Sequence, residues 1–412
     1  MIAFYLLVAI MPFVRHSLWN ETKFAGLTLN KYLGILCLVI GLANYLRRHR
    51  PVRLFKTTQS RLFLLFGLVT MASFSIAGPP VDVEVSPTST WVSLLLLFFV
   101  ASALIGSTNR LRYTLLALVG GVAYASLHTI KEWINGGMMA GDRPGWVTGD
   151  PNYFALSALL CLPLGLLLAQ ELEGRAERAF CWLALGVTLF AFTIAGSRGA
   201  FFGLIASFLM LIWHSSHRRR YLVIGTVLLA VLLVVAPTSP VSRLLNPNYA
   251  DQESTDVRTA LQWAGLAMFE DHAWTGIGVG NYKFLVKQYG PRDEELVNVA
   301  HNTYLEVAAE LGIVGIGLFS AIFVTSLASL RRVGRDARSL GPKGKLLSLT
   351  ARGLEAGLIG GTLTIVFLSA LHVRILWFVI ILSMCLPRLI AQLKARPSPP
   401  AVSIRILARS VR

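Results

Sequence analysis

Charge is scarce in this chain. Only 14% of its 412 residues are Asp, Glu, Lys or Arg, against about 25% in a soluble domain. A large water-facing domain is thereby excluded. Cysteine is scarce as well. Cys37, Cys161, Cys181 and Cys385 all lie in apolar runs, without a C-x-x-C pair or histidine-rich spacing. Neither a disulfide framework nor a zinc site is indicated, and the four read as small packing residues. The apolar start Met1–Phe13 lacks a basic leader and a small-residue cleavage site, so it reads as a first span and not as a cleaved signal. No internal repeat occurs, and the one biased stretch is the Pro-rich Arg396–Pro400. Acidic residues are outnumbered 21 to 38, which gives a net charge of +17. Such a balance can mark nucleic-acid binding. Here the Lys and Arg sit in short loops between apolar runs, the pattern of membrane orientation, so no nucleic-acid partner is expected.

What the chain has in abundance is apolar sequence, 55% of all residues. A membrane span needs about 20 mostly apolar residues. Candidate spans cover 2–18, 32–46, 62–78, 91–106, 113–134, 153–170, 179–196, 200–213, 221–236, 302–329, 352–371 and 375–393. One set of connecting loops is basic: Arg47 to Arg50, Arg110 and Arg112, Arg175 and Arg178, Arg218 to Arg220, and Arg331 to Lys345. The alternate set is acidic or mixed, with Asp82, Glu84, Asp142 to Asp150 and the long stretch 237–300. Twelve spans threaded from a cytoplasmic N-terminus put every basic loop on one side. The expected fold is therefore all-α: a polytopic bundle of about twelve spans with both termini cytoplasmic. Its parts would be spans one to nine over 1–236, a periplasmic loop domain over 237–300, spans ten to twelve over 301–393, and a basic cytoplasmic tail over 394–412. Within the loop, Ser254-Thr255-Asp256 offers an N-cap. Val257, Ala260, Leu261, Ala264, Ala267 and Met268 follow at helical spacing. An amphipathic helix of about four turns is expected there, with Arg258 and Gln262 on its polar face.

Charges in or beside a span are costly and mark function by default. Arg198, in Ala195-Gly196-Ser197-Arg198-Gly199, sits in a tight turn between two apolar runs. Snorkelling to headgroups is the bland account, but an isolated arginine on the outer side favours an anion site. Arg258 alone would be a solvated or ion-paired residue; its weight comes from its company. Arg143, after Gly141-Asp142, is a further anion ligand, and Asp150-Pro151-Asn152 reads as a turn or cap. His301, ahead of Asn302-Thr303-Tyr304, stands where a helix N-terminus disfavours a second proton. A neutral imidazole there can act as general base, or be merely structural. Glu306 and Glu310 share one helical face and could orient polar groups or pair with an arginine. Gly276-Ile277-Gly278-Val279-Gly280 has no preceding strand and the wrong spacing for a nucleotide loop, so it reads as a turn. Gly312, Gly315 and Gly317 read as close helix packing.

The ordered set carries a resemblance. It runs from Gly149-Asp150-Pro151-Asn152 through Ser197-Arg198-Gly199 to Arg258. Asp271-His272-Ala273-Trp274-Thr275-Gly276 follows, then His301-Asn302-Thr303-Tyr304-Leu305-Glu306 and Glu310-Leu311-Gly312. This resembles the O-antigen ligase and polymerase superfamily of bacterial envelope enzymes, most strongly over about 140 to 317. Ala273 departs from the proline many relatives place before the Trp. The resemblance implies transfer of a glycan from an undecaprenyl-diphosphate carrier at the periplasmic face of the Gram-negative inner membrane. The acceptor would be lipid A–core in a ligase, another lipid-linked repeat in a polymerase, or a protein hydroxyl in a third branch. It also implies metal-independent, inverting chemistry without a cofactor, and no Asp-x-Asp motif occurs in the outer loops. No obligatory protein partner is expected. In this reading His301 is the base. Arg198, Arg258 and Arg143 hold the diphosphate, and Asn302, Tyr304 and Glu306 support. Trp274 and Tyr282 could serve as sugar platforms or simply pack. The single dominant loop favours the ligase; a transporter of lipid-linked glycan is the remote alternative.

Overall fold

A computed structural model describes residues 1–14, 23–24, 27–47, 54–77, 87–136, 143–213, 249–290 and 298–395, with scattered residues between 215 and 227. The ninth expected span, most of the loop before residue 249, Asp82, Glu84, Asp142 and the tail from 396 lie outside the described residues. The chain is a helical bundle. Its helices are α1 (Ile2–Ala9), α2 (Leu29–Leu46), α3 (Thr58–Ala77), α4 (Pro87–Leu104), α5 (Thr108–Ile134), α6 (Pro151–Glu171), α7 (Arg175–Ala195) and α8 (Arg198–Trp213). After the loop come α9 (Tyr249–Asp271), α10 (Tyr282–Tyr289), α11 (Thr303–Arg338), α12 (Lys345–Thr364) and α13 (Arg374–Ala395). A two-residue ribbon, Lys23–Phe24 with Leu27–Thr28, is the one strand pair among the described residues. Eight of the described helices are long and apolar enough to cross a membrane: α2 to α7, α11 and α13.

Several boundaries differ from the sequence expectation, each for a local reason. α1 stops at Ala9 because Pro12 pushes its predecessor out of the helical region. α9 starts at Tyr249, so Ser254-Thr255-Asp256 lies inside the helix and is not its cap. α12 ends at Thr364 and passes through a short 3₁₀ turn, Ile365–Phe367, into extended chain at Leu368. The expected span to 371 therefore breaks early. α11 runs to Arg338 but is interrupted at Gly312, whose φ of 62° and ψ of −163° are not helical.

α6 is the central post, buried along nearly its whole length. Glycines let its neighbours close in. A Cβ on Gly353 or Gly357 of α12 would stand 2.7 Å from the Leu164 Cα or 2.6 Å from the Leu160 carbonyl oxygen of α6. On the other side Gly203 of α8 and Gly360 of α12 meet backbone to backbone, and Ser207 donates to the Ala356 carbonyl at 2.8 Å. In lipid, such small-residue contacts and buried hydroxyl bonds supply association that water would otherwise drive. A second centre is aromatic: Trp91 and Trp377 meet at 4.8 Å between ring centroids, with Phe63, Phe66 and Phe319 around them.

The bundle has two chemically different ends. At one end lie the N-terminal half of α5 and the C-terminal halves of α6, α11 and α13. Ion pairs Arg112–Glu177, Lys345–Glu171 (3.2 Å) and Lys394–Asp336 (3.1 Å) gather there. Arg388 caps the end of α4 through the carbonyls of Ser102 and Ile105. At the other end the N-termini of α6, α8 and α11 converge with α9 and α10. This second end holds the candidate site.

Candidate functional site

Each site residue is held by a short-range device. α7 ends at Gly196, whose left-handed φ of 61° closes the helix. The chain turns through Ser197, and Arg198 opens α8. α6 begins at Asp150, whose carboxylate accepts the Asn152 N–H at 2.6 Å, with Pro151 in the first turn. Asn302 caps α11 by accepting from the N–H groups of Tyr304 and Leu305 at 3.1 and 3.2 Å. These are the cap roles that Asp, Asn and Pro fill best at helix starts. Arg143 donates to the Asn152 side chain at 3.3 Å and to the Ala195 and Gly196 carbonyls at 3.3 and 3.4 Å. Its guanidinium thus ties its own loop to the turn that presents Arg198. Glu132 of α5 fixes the same loop by accepting from the Gly145 and Trp146 N–H groups at 2.7 and 3.1 Å.

Arg143, Asn152, Ser197, Arg198, Gly199 and Arg258 line one narrow cleft, with Thr364, Phe367 and Leu368 as its far wall. Residues separated by more than a hundred positions therefore share one electropositive space. Gly199 permits it, since a Cβ there would stand 2.8 Å from the Phe367 Cβ. His301 is not part of this lining. It stands beside it, within electrostatic reach of Arg258 and Asp150. Its backbone has a φ of +50°, the one left-handed non-glycine among the described residues, a conformation that costs energy and recurs at functional positions. Its Nδ1 is buried without a hydrogen-bond partner among the described residues. Burial first, then the Arg258 charge, lower its pKa to about 4, against a smaller opposite pull from Asp150. The imidazole is neutral at pH 7. The cause is desolvation and a neighbouring cation, where the sequence suggested the helix N-terminus.

Tyr304 and Tyr282 are occupied elsewhere. The Tyr304 hydroxyl donates to the Thr362 carbonyl at 3.1 Å and its ring meets Phe319 edge-on. Tyr282 is buried and donates to the Leu261 carbonyl of α9. Burial, with Glu306 and Glu310 nearby, raises its pKa and keeps it a donor. Trp274 is exposed. Glu306 and Glu310 are buried in α11. No arginine pairs with either among the described residues. Glu306 lies near Tyr153, Tyr282 and the Ser369 hydroxyl.

Glu310 has a distinct partner set. Its Oε1 accepts from the backbone N–H groups of Gly280 and Tyr282 at 2.9 and 3.3 Å. The break at Gly312 completes the join. The Ala309 and Glu310 carbonyls accept from Ile277 and Gly278 at 2.9 and 3.0 Å, and Ile313 donates back to the Ala273 carbonyl at 2.8 Å. The glycine-rich turn is thus a clasp on a broken helix. Gly276 has no room for a side chain, because a Cβ would stand 2.2 Å from the Glu310 carbonyl carbon. Overpacking and a left-handed φ together make Gly276→Ala cost about 2 kcal/mol or more. A fall in thermal unfolding midpoint in detergent checks this, and an unchanged midpoint refutes it.

The clasp leads to Arg258. Glu310 holds Tyr282, Tyr282 holds the Leu261 carbonyl, and Leu261 sits one turn from Arg258 in α9. Glu310→Ala should therefore lower kcat/KM by roughly tenfold to hundredfold, the loss of the two hydrogen bonds it accepts and with them of the placement of Arg258. Glu310→Gln keeps the accepting oxygen and should recover most of it. Equal kinetics for the Ala and Gln variants would refute a positioning role. Thr364, Phe367, Leu368 and Glu132 escaped the sequence reading. The first three sit in an apolar run that gives no sign of its break, and Glu132 looks like an ordinary charge at the end of a span.

No curated protein matches the chain. Residues 183–320, which hold Arg198, Arg258, His301, Glu306 and the clasp, match the family model described as O-antigen ligase. Over that segment the chain is similar to the O-antigen ligase family.

Proposed function

We propose that this protein is an O-antigen ligase, moving O-antigen polysaccharide from undecaprenyl diphosphate to a sugar hydroxyl of lipid A–core. The observation that carries the reading is the cleft that gathers Arg143, Arg198 and Arg258 beside a neutral, half-buried His301. The donor arrives with a diphosphate leaving group, so catalysis must stabilise charge growing on that group. Permanently charged guanidiniums with paired N–H donors do this well. Arg198 and Arg258 take that task, and Arg143 holds Arg198 in place and adds field. The acceptor hydroxyl attacks the anomeric carbon opposite the diphosphate. The new C–O bond forms as the bond to the diphosphate oxygen breaks, and the hydroxyl proton passes to His301. One displacement from the far face inverts the anomeric centre. The basic end, with its ion pairs, is assigned to the cytoplasm by the excess of Lys and Arg. Both termini then lie inside and the cleft faces the periplasm across the inner membrane.

The same residues would serve a repeat-unit polymerase, and lipopolysaccharide gels of a deletion strain separate the two. A ligase deletion leaves bare core and accumulates lipid-linked polymer. A core capped by a single repeat would overturn the ligase assignment in favour of the polymerase. Transfer by purified protein that stops on adding a chelator would overturn the metal-free mechanism.

A further inference from the structure

α9 presents a second feature, on a different face from Arg258. Asp256, Thr259, Ala260, Trp263 and Ala264 follow one another at helical spacing and line an open pocket of about 350 Å³, bordered by Tyr289 and Gly290 at the end of α10. That volume falls within the roughly 300–1,000 Å³ of small-molecule sites. It is much larger than the arginine cleft, and nothing in the mechanism uses it. Trp263 is 68% exposed. The Tyr289 hydroxyl is hydrogen-bonded to the Asp271 carboxylate.

The chemistry of the lining selects the ligand. Among the described residues no cation lines the pocket, and Asp256 would repel an anion, which disfavours a phosphate. A lipid tail laid there would press hydrocarbon against the Asp256 carboxylate, which is costly. A sugar ring satisfies both parts. Its apolar C–H face packs on the indole and phenol, and its hydroxyls meet Asp256 and Thr259. Trp263 lies five residues from Arg258, about 7.5 Å along the helix axis and on another face of α9, so a glycan chain reaches both by passing round the helix. We propose that this pocket is a subsite for the glycan chain of the donor, holding pyranose units beyond the one that reacts. The proposal rests on the glycan-transfer reading above.

The test uses the full-length protein in nanodiscs. The binding probe is free oligosaccharide of two repeat units, observed by saturation-transfer NMR. Wild type should give a binding signal, and Trp263→Ala should weaken it by about tenfold, the loss of one aromatic face packed on a sugar ring. Trp263→Phe should fall between them. In transfer assays Trp263→Ala should raise KM for a polymer-bearing donor by a similar factor. It should leave kcat, and use of a donor carrying a single sugar, within about twofold. Equal oligosaccharide signals from wild type and Trp263→Ala would overturn the proposal. So would selective quenching of Trp263 fluorescence by brominated acyl chains, which would assign the pocket to lipid. If wild type transfers nothing while binding still depends on Trp263, the transfer reading fails and the subsite stands.

Discussion

Arg258→Ala is expected to lower kcat/KM for glycan transfer by about 10²–10³, the usual cost of removing one preorganised donor from developing charge. The loss should fall mainly on kcat, because the charge on the leaving diphosphate grows as the bond breaks. Arg258→Lys should recover only part of it, since an ammonium keeps the charge and loses the paired N–H geometry. Arg198→Ala should behave alike. The double variant should cost less than the product of the two, because both side chains line one cleft and would serve one diphosphate. Steady-state kinetics with purified protein and a lipid-linked donor check this. A drop confined to KM would mean that Arg258 only binds the donor. An unaltered rate would remove the diphosphate role from the cleft.

His301→Ala should lower the rate by about 10²–10⁴, the range for a positioned general base. The pH dependence is the sharper measurement. A base must be unprotonated, and the His301 pKa lies near 4 in the free protein. The acid limb of kcat/KM should therefore rise through about that pH and stay flat toward neutrality. Arg258 contributes to that depression. A bound diphosphate offsets the Arg258 charge, so proton affinity at His301 rises in the donor complex. The acid limb of kcat should then lie at higher pH than that of kcat/KM. A proton acceptor at pKa 4 is weak, so this rise would also bring the base closer to its working range when the substrate is present. Superimposable limbs would sink the coupling. Wild-type turnover in His301→Ala would sink the assignment of the base.

Legibility in the sequence followed physical cost. Arg198 and His301 stand out because charge and imidazole beside apolar runs are expensive, and such expense rarely goes unused; Arg258 gains its weight from their company. The caps at Asp150 and the turn at Gly276–Gly280 were also readable, because Asp, Pro and Gly act within a few residues of themselves. The clasp was not. Glu310 reaches Gly280 across 30 positions, and its partners are backbone N–H groups that carry no sequence signature. The break after Thr364 was equally hidden, since Ile365 to Leu371 is almost uniformly apolar and looks like more span. Tyr304 and Asn302 were seen as chemistry when they serve mainly to pack and cap.

The interruption at Gly312 bears on how the enzyme sits in bilayers of different thickness. A continuous helix passes any tilt or axial turn along its whole length. In α11 Ala309 and Glu310, above the break, are bonded to the loop turn 273–282, while the stretch below packs into the bundle through Phe319 and Ser326. Fractions of a kcal/mol per Å of mismatch are absorbed by tilting a span, and here that tilt has a joint at which to end. His301, Glu306 and Glu310 stay in register with α9 when the membrane thins or thickens. The glycine thus isolates the geometry of the cleft from the composition of the surrounding lipid.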